Sequence, residues 1–296
     1  MVLARRPVTD QDVRALARKL RIHSLTMISR ARSSHIGSCL SMADILAVLY
    51  GATLRIDPHR PDWEDRDRLV ISKGHAAAIT YAALAEAGFI AQERLLEYGQ
   101  NGSYLCGHVS HVRVPGVEMS TGSLGHGLPA SVGMALAAKR DGRSSRVFTV
   151  MSDGECDEGS NWEAVLFAAH HQLDNLVAIV DYNRIQSLDL VEKTIRLEPF
   201  VEKFQAFGWG ALGVDGHDVG ELRRTFDQLP LQAGKPSAVI AKTVKGKGVP
   251  FMEGKVLWHY RPPTDEELGR ALDELDTEPP SDAEAARAVE ELQRQR

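Results

Sequence analysis

Short runs of apolar residues alternate with longer helical patterns along most of this 296-residue chain. The runs are bounded by polar turns and predict strands at 67–72, 146–151, 176–181, 209–214 and 237–242. The helical spacing elsewhere predicts helices at 10–32, 41–50, 74–87, 159–171, 199–207 and 218–229, and a further helix that TGSLGHG opens and that runs to about residue 140. The strands are continuously apolar instead of alternating, so both faces of the sheet should be buried. The pattern therefore predicts an α/β fold, a parallel sheet with helices on both faces.

Two further features set the organisation of the chain. Ser41 stands where it would cap the helix predicted at 41–50. Beyond residue 262 the sequence is broken by prolines, highly charged and helical in tendency. We therefore expect a main domain at 1–261 and a charged helical C-terminal tail at 262–296, packed on the surface or on a partner.

Composition narrows the classes of function. The chain is 43% hydrophobic and 25% charged, an ordinary globular balance, and its net charge of -5 gives no basic footprint for nucleic acid or an anionic membrane. No apolar stretch has the length of a signal peptide or a membrane span, which predicts a cytoplasmic protein. Cys39, Cys106 and Cys156 fit neither a disulfide framework nor a zinc site, and we expect all three to be reduced.

Oxygen-bearing side chains follow two consecutive strands. Asp153 comes just after the strand at 146–151, and Asn183 just after the strand at 176–181. A right-handed crossover brings the carboxyl ends of parallel strands to one edge of the sheet, where ligands bind. The backbone carbonyl of Ile185 lies in the same turn as Asn183. A carboxylate, an amide oxygen and a carbonyl suit Mg²⁺, which also accepts phosphate oxygens.

The segment that carries Asp153, MSDGECDEGSNWEA, also contains Glu155, Asp157 and Glu158. Four acids would repel a phosphate, unless a metal stands between the phosphate and Asp153. Gly154 leaves the backbone open near the start of a helix, a position that favours anions. The alternative is an ordinary turn in which the acids merely favour the positive end of a helix.

The chain resembles a known protein family. The pair of segments SDGECDEGSNWEA and NLVAIVDYNRIQ resembles the thiamine-diphosphate motif of transketolases. The resemblance continues through SSHIG, SKGHA, GHVSHVRVPGVEMSTGSLGHG, GHD, KTVKGKGVPF and LWHY. It implies a thiamine-diphosphate-binding fold with thiamine diphosphate and Mg²⁺ as cofactors, and transfer of a two-carbon ketol unit between sugar phosphates.

The resemblance covers only the diphosphate-binding domain of that family. The pyrimidine-binding domain, whose glutamate protonates the aminopyrimidine, has no counterpart in this sequence. This implies the N-terminal, A-type subunit of a split transketolase, inactive without a partner chain that carries the missing domain. Because the family places its cofactors between domains of different chains, we expect an α₂β₂ assembly.

The resemblance also assigns site residues. It implies metal ligation by Asp153, Asn183 and the Ile185 carbonyl. It implies that the remaining cofactor contacts come from His75, Gly122, Leu124, Gly154, Glu158, Asn183 and His259. Glu158 matches a glutamate at the subunit interface. The catalytic histidines implied by the match, which contact donor, acceptor or diphosphate, are His35, His75, His108 and His259.

Some positions stay open. Glu155 and Asp157 are interpreted as helix-start charges. Lys245 and Lys247 are either substrate-steering or solvated loop lysines. Ser152, His126 and Tyr260 depart from the usual glycine, glutamine and glycine of the family. The alternatives are a 1-deoxyxylulose-5-phosphate-synthase-like carboligase, the alpha subunit of a 2-oxo acid dehydrogenase, and a non-catalytic cofactor-binding module.

Overall fold

The computed structural model describes residues 8–276 and contains one five-stranded sheet. All strands are parallel and their order is β1-β2-β3-β5-β4. The strands are β1 (Arg68–Ile71), β2 (Val147–Ser152), β3 (Leu176–Tyr182), β4 (Gly210–Asp215) and β5 (Ser237–Lys242). The predicted parallel sheet is confirmed, and each predicted strand lies within one residue of its observed bounds.

Helices occupy most of the connections. They are α1 (Asp10–Ala31), α2 (Ile36–Ser41), α3 (Ala43–Val48), α4 (Ala77–Glu86), α5 (Gly127–Arg140), α6 (Gly159–His170), α7 (Val191–Thr194), α8 (Phe200–Ala206), α9 (Val219–Asp227) and α10 (Asp265–Asp276). Short turns of π- or 3₁₀-helix are present at Leu49–Thr53, Gln92–Glu97, Gly154–Asp157 and Val256–His259.

Two hydrophobic cores lie on opposite faces of the sheet. One contains Phe148 and Ile179 and packs against residues of α1, α3, α4 and α9. The other contains Met151 and Val180 and packs against residues of α5, α6 and α8. Successive strand residues point to opposite faces, so a strand buried on both sides must be apolar at nearly every position. The prediction of helices on both faces is thereby confirmed.

The prediction of one helix at 41–50, capped by Ser41, is wrong. Ser41 is the last residue of α2, and α3 and a π-helical turn follow it. Its buried hydroxyl donates its one proton to Asp181 at 2.5 Å, with the Ser38 carbonyl 3.2 Å away, and does not accept from a helix-start amide. A serine hydroxyl can serve either purpose, and the distant carboxylate decided the outcome here.

Helix α10 lies within the predicted C-terminal tail and packs against α1, where the Arg18 guanidinium donates to the Leu275 carbonyl. Residues 277–296 of that tail lie outside the described residues. The domain boundary at 261 stays a prediction. Within residues 8–276 no helix is both long and apolar enough to cross a membrane.

Candidate active site

Polar side chains gather at the carboxyl ends of four adjacent strands. Lys73 follows β1, Asp153 follows β2, Asn183 follows β3 and Thr243 follows β5. All four residues are buried. The parallel order of these strands brings residues that are far apart in sequence to one edge of the sheet, as expected for a ligand site.

Asp153 reaches the turn that contains Asn183 and Ile185. One carboxylate oxygen accepts from the Arg184 amide at 2.6 Å and the other from the Gly154 amide at 2.7 Å. The Asn183 side-chain oxygen accepts from the Ile185 amide at 3.1 Å. The structure thus brings Asp153 to the 183–185 turn, so that the three predicted metal ligands lie in adjoining segments.

Lys245 is buried in the same place, which excludes a solvated loop lysine. Its ammonium donates to the Ile185 carbonyl at 3.0 Å and to Nδ1 of His259 at 2.9 Å. Burial, together with the nearby Lys73 ammonium, lowers the pKa of Lys245 to about 8. Burial and the Asp181 carboxylate raise the pKa of Asp153 to about 6. A bound cation would therefore stabilise the ionised form of Asp153, and a bound anion would stabilise the ionised form of Lys245.

A buried ion pair supports this edge of the sheet. The Lys73 ammonium donates to Asp181, which also accepts from the hydroxyls of Ser41 and Thr243. Burial alone would raise the pKa of Asp181, but Lys73 and these hydrogen bonds hold it below its usual value. Asp181 lies 3.5 Å from the side-chain nitrogen of Asn183. Sequence reasoning missed this pair, although a charged residue inside the apolar run LVAIVD was a visible signal.

The interpretation of Glu155 as a helix-start charge is wrong. Its carboxylate is fully buried, accepts from the Ser72 hydroxyl, and also accepts from the amides of Gly125 and Ser152 at 3.0 and 3.3 Å. Burial raises its pKa, and the Ser72 hydroxyl partly offsets this. Glu155 therefore ties the segment after β2 to the loop that precedes α5. This acid is occupied by protein donors and does not face a phosphate.

The other acids of the segment face different neighbours. Asp157 accepts from the side-chain nitrogen of Gln186 at 2.8 Å. Glu158 is exposed at the N-terminal end of α6, and its side chain makes no capping hydrogen bond there. The four acids thus have different partners, and only Asp153 lies among the predicted metal ligands.

The glycine positions of the predicted cofactor contacts lie close to other side chains. A Cβ on Gly154 would lie 3.0 Å from Gln186, and one on Gly122 would lie 3.0 Å from the ring of His108. A larger residue would displace a neighbour at both places. Leu124 lies in the same loop as Gly122, and its carbonyl accepts from the ring of His126 at 3.1 Å.

The four predicted catalytic histidines form one cluster. The ring of His35 lies 5.2 Å from His75, 5.6 Å from His108 and 5.0 Å from His259, measured between centroids. The rings of His75 and His259 are 5.7 Å apart. His35 has a left-handed backbone (φ 76°), which is uncommon for a residue other than glycine, and its amide donates to the His259 carbonyl at 2.7 Å.

Three of these rings are neutral near pH 7. Burial, the neighbouring His108 and the two lysines lower the pKa of His35 to about 4. Burial and Lys245 lower the pKa of His259 to about 3, and burial and Lys73 hold the pKa of His75 well below its ordinary value. Because His259 accepts from Lys245 through Nδ1, its proton is assigned to Nε2. Neutral rings can both donate and accept hydrogen bonds to hydroxyl groups.

Histidines outside the cluster have other surroundings. His217 lies beside Asp44 at 2.7 Å and accepts from the Val244 amide at 2.8 Å, so it is a satisfied structural residue. His126 is exposed. The three cysteines are free, with Cys39 and Cys156 buried and Cys106 exposed.

The donor set fits a magnesium diphosphate. Asp153, Asn183 and Ile185 offer the hard oxygen ligands that Mg²⁺ requires, and Lys245 offers a buried cation to an anionic group. Within residues 8–276 no group of three His, Cys, Asp or Glu could hold a metal. The predicted ligands include a single carboxylate and do not depend on such a group.

Comparisons with known proteins identify the family of the chain. Residues 12–292 match the family model for the transketolase thiamine diphosphate binding domain. The chain is 41% identical to the 6-deoxy-6-sulfo-D-fructose transketolase subunit SqwG of Clostridium sp. (strain MSTE9), over 90% of this chain and 97% of that protein. It is 40% identical to one of the subunits of the apulose-4-phosphate transketolase of Phocaeicola vulgatus, over 87% and 91% of the two chains.

A solved structure extends the comparison. The crystal structure of transketolase from Campylobacter jejuni superposes with a TM-score of 0.85 and 33% identity, over 90% of this chain but 43% of that one. The chain thus spans nearly the whole of two proteins named as subunits and under half of the C. jejuni transketolase. Relatives named as subunits imply a partner chain. The chain belongs to the transketolase family, in which it matches the thiamine diphosphate binding domain.

Proposed function

We propose that this chain is the thiamine diphosphate and Mg²⁺ binding subunit of a two-chain transketolase, which transfers a two-carbon ketol unit between sugar phosphates or related sugars. The cluster of His35, His75, His108 and His259 beside Asp153 and Lys245 is the observation that carries the proposal. In this cluster, neutral imidazole rings that can hydrogen-bond to sugar hydroxyls lie next to a site suited to a metal and the anion it binds. The two relatives named as subunits act, by their names, on a sulfosugar and on a sugar phosphate.

In this proposal the metal is held by Asp153, Asn183 and the Ile185 carbonyl, and the diphosphate lies against Gly154, Gly122 and Leu124. Lys245 is an addition to the residues predicted from sequence. Its buried ammonium would pair with the diphosphate and recover part of the free energy that burial costs it. When bound, the cofactor supplies the thiazolium carbon that carries the two-carbon unit.

The histidines would position and move protons on the substrate. His35 and His259 are neutral at pH 7. Nδ1 of His35 is bonded to the Ser34 hydroxyl, so Nε2 is the ring nitrogen that would face a substrate hydroxyl and exchange a proton with it. His75 would contact the cofactor, and His108, next to Gly122, would contact the donor. Lys245 donates to Nδ1 of His259, which leaves Nε2–H to donate to a ligand.

The partner would carry the pyrimidine-binding domain with its glutamate. An exposed surface of α6 supports a protein contact: Leu166 and Phe167 are 60% and 44% exposed, which is unusual for adjacent large apolar residues on a helix. Glu158 begins the same helix, consistent with its predicted place at a subunit interface. We propose an α₂β₂ assembly. Cytoplasmic location stays a prediction from the sequence.

The test is reconstitution. This chain alone should show no ketol transfer from xylulose 5-phosphate, and mixing it with a chain that carries the pyrimidine-binding domain should restore transfer. Sustained turnover by the lone chain would contradict the proposal of a split enzyme. Replacing xylulose 5-phosphate with pyruvate as donor separates ketol transfer from a carboligase that uses pyruvate.

A further inference from the structure

Two of the aromatic rings at the candidate site are exposed. His108 is exposed, whereas His35, His75 and His259 are partly buried. The other exposed ring, that of Tyr260, lies 4.7 Å from His259 and 6.2 Å from His35. The Tyr260 side chain is 60% exposed, so it forms an outer rim of the histidine cluster.

The backbone on both sides of Tyr260 is anchored. Tyr260 directly follows the 3₁₀ turn Val256–His259, within which Trp258 is buried and donates to the Phe251 carbonyl at 3.3 Å. On the other side, the Arg261 guanidinium lies 4.8 Å from the centre of the Trp258 ring and is bonded to Glu267 at 2.6 Å. Residues on both sides are therefore anchored, and the position of Tyr260 is a property of the fold.

Tyr260 offers an aromatic ring and a hydroxyl group at this rim. The phenol has no hydrogen-bond partner among residues 8–276, so its hydroxyl is free to bond a ligand. The neighbouring cation, Arg261, is already engaged by Glu267 and Trp258. An exposed tyrosine contacts the carbon atoms of a polyol through its ring and a hydroxyl group through its own O–H.

We propose that Tyr260 is a specificity-determining residue, which contacts the part of a sugar substrate that lies beyond the transferred two-carbon unit. The inference rests on the proposed function. The reacting end of the donor would lie among the histidines, and Tyr260 is the exposed ring beside His259 and His35, so donor carbons that extend from the cluster on this side would contact it. Tyr260 would therefore favour polyhydroxylated donors that have several carbons outside the cluster. It would recognise the carbon chain of the donor and not a charged group.

The experiment compares two donors with the reconstituted two-chain enzyme and one fixed acceptor. Xylulose 5-phosphate carries three carbons beyond the transferred unit, whereas 3-hydroxypyruvate carries only a carboxylate. Tyr260→Gly should lower kcat/KM for xylulose 5-phosphate about tenfold, mainly through KM, and leave 3-hydroxypyruvate within about twofold. Tyr260→Phe, which lacks only the hydroxyl, should lose about threefold on the long donor alone.

Two controls keep the result interpretable. Leu257→Ala changes an exposed side chain of the preceding 3₁₀ turn and should leave the ratio of the two donors unchanged. Thermal unfolding and thiamine diphosphate affinity of the Tyr260 variants should match the wild type. Equal loss on both donors, or no loss on either, overturns the role of Tyr260 while ketol transfer by the wild-type pair stands. Absence of transfer by the wild-type pair overturns the proposed function and this inference with it.

Discussion

Two buried clusters of charge in this chain are satisfied to very different extents. Arg21, Asp44 and His217 join α1, α3 and the turn before α9, with Arg21 donating to Asp44 at 2.6 Å. Burial alone would raise the pKa of Asp44, but Arg21 and His217 outweigh it and hold that pKa far below its usual value. At the candidate site the result is opposite, with the pKa of Asp153 raised to about 6 and that of Lys245 lowered to about 8.

The difference separates a structural cluster from a binding site. In the first cluster the protein itself supplies the counter-charge, so the ionised carboxylate stabilises the folded chain. At the site, the acid and the base are buried without enough opposite charge, which costs stability and leaves both groups suited to ligands. The predictions below test whether this contrast is real.

Asp44→Ala should give the largest effect, a loss of about 3–5 kcal/mol in the free energy of unfolding, because it leaves the buried Arg21 without its partner. Urea unfolding measures the loss. Asp174→Ala, which removes the exposed partner of Lys139, is the matched control and should cost under about 1 kcal/mol. Equal losses would mean that the Arg21 cluster contributes no more than a surface pair.

The same cluster predicts a pH dependence. Asp44 has a lowered pKa in the folded state, so its contribution is complete above the ordinary value of 3.8 and is lost as pH falls toward the folded pKa. The stability difference between wild type and Asp44→Asn should therefore be constant from about pH 5 to 6 and shrink below pH 3.8. A difference that does not change with pH would contradict the ionised pair.

Asp153→Ala should reduce Mg²⁺-dependent affinity for thiamine diphosphate at least about 100-fold, or about 2.7 kcal/mol, because it removes the one carboxylate among the proposed ligands. Calorimetric titration of the cofactor with and without Mg²⁺ measures this. The free energy of unfolding without cofactor should fall much less than in Asp44→Ala, because the loss of the hydrogen bonds from the Gly154 and Arg184 amides is partly offset by removal of a desolvated carboxylate. Unchanged affinity would overturn the proposed metal site.

Lys245→Met should weaken thiamine diphosphate binding about tenfold and leave the apo chain as stable as the wild type or more so, since a poorly paired buried ammonium is removed. Cofactor titration and thermal unfolding together give both readouts. Lys247→Met, in the same loop and less buried, is the control. If Lys245→Met destabilised the folded chain and left cofactor affinity unchanged, Lys245 would have a structural role like that of Arg21.

Ser152→Gly should have the smallest effect. The Ser152 hydroxyl accepts from the Glu155 amide at 3.3 Å, a long hydrogen bond worth about 1 kcal/mol or less. Cofactor affinity should stay within about threefold of the wild type, and stability should fall slightly. A large loss of affinity would show that the hydroxyl contributes to the site through more than this bond.

Much of the fold followed from the sequence because both strand faces are buried. That burial makes β2 and β3 continuously apolar, so their limits could be read directly, and Asp153 and Asn183 could be placed at the same edge. The half-exposed β4 was still found from its short apolar run. The division of the segment 41–50 into separate pieces was missed, because Ser41 satisfies Asp181, a partner 140 residues away in sequence.

The residues that sequence reasoning missed are those whose role depends on burial. Glu155 and Lys245 look like surface charges in a glycine-rich loop, and nothing local shows that they are enclosed. Their partners, Ser72 for Glu155 and Ile185 for Lys245, follow other strands. The four histidines were found through the family resemblance, since a single histidine beside a glycine carries little information.

The sheet order has a consequence for how the chain reaches its native state. Strand β1 ends at Ile71, and its neighbour in the sheet, β2, begins only at Val147. Contacts between residues so distant in sequence form late, because the intervening chain must first be confined. His35, His75 and His108 all precede β2, whereas Asp153, Asn183 and Lys245 follow its start. We therefore expect the capacity to bind cofactor to appear in the last stage of refolding, when β1 joins a sheet already begun by β2 and β3.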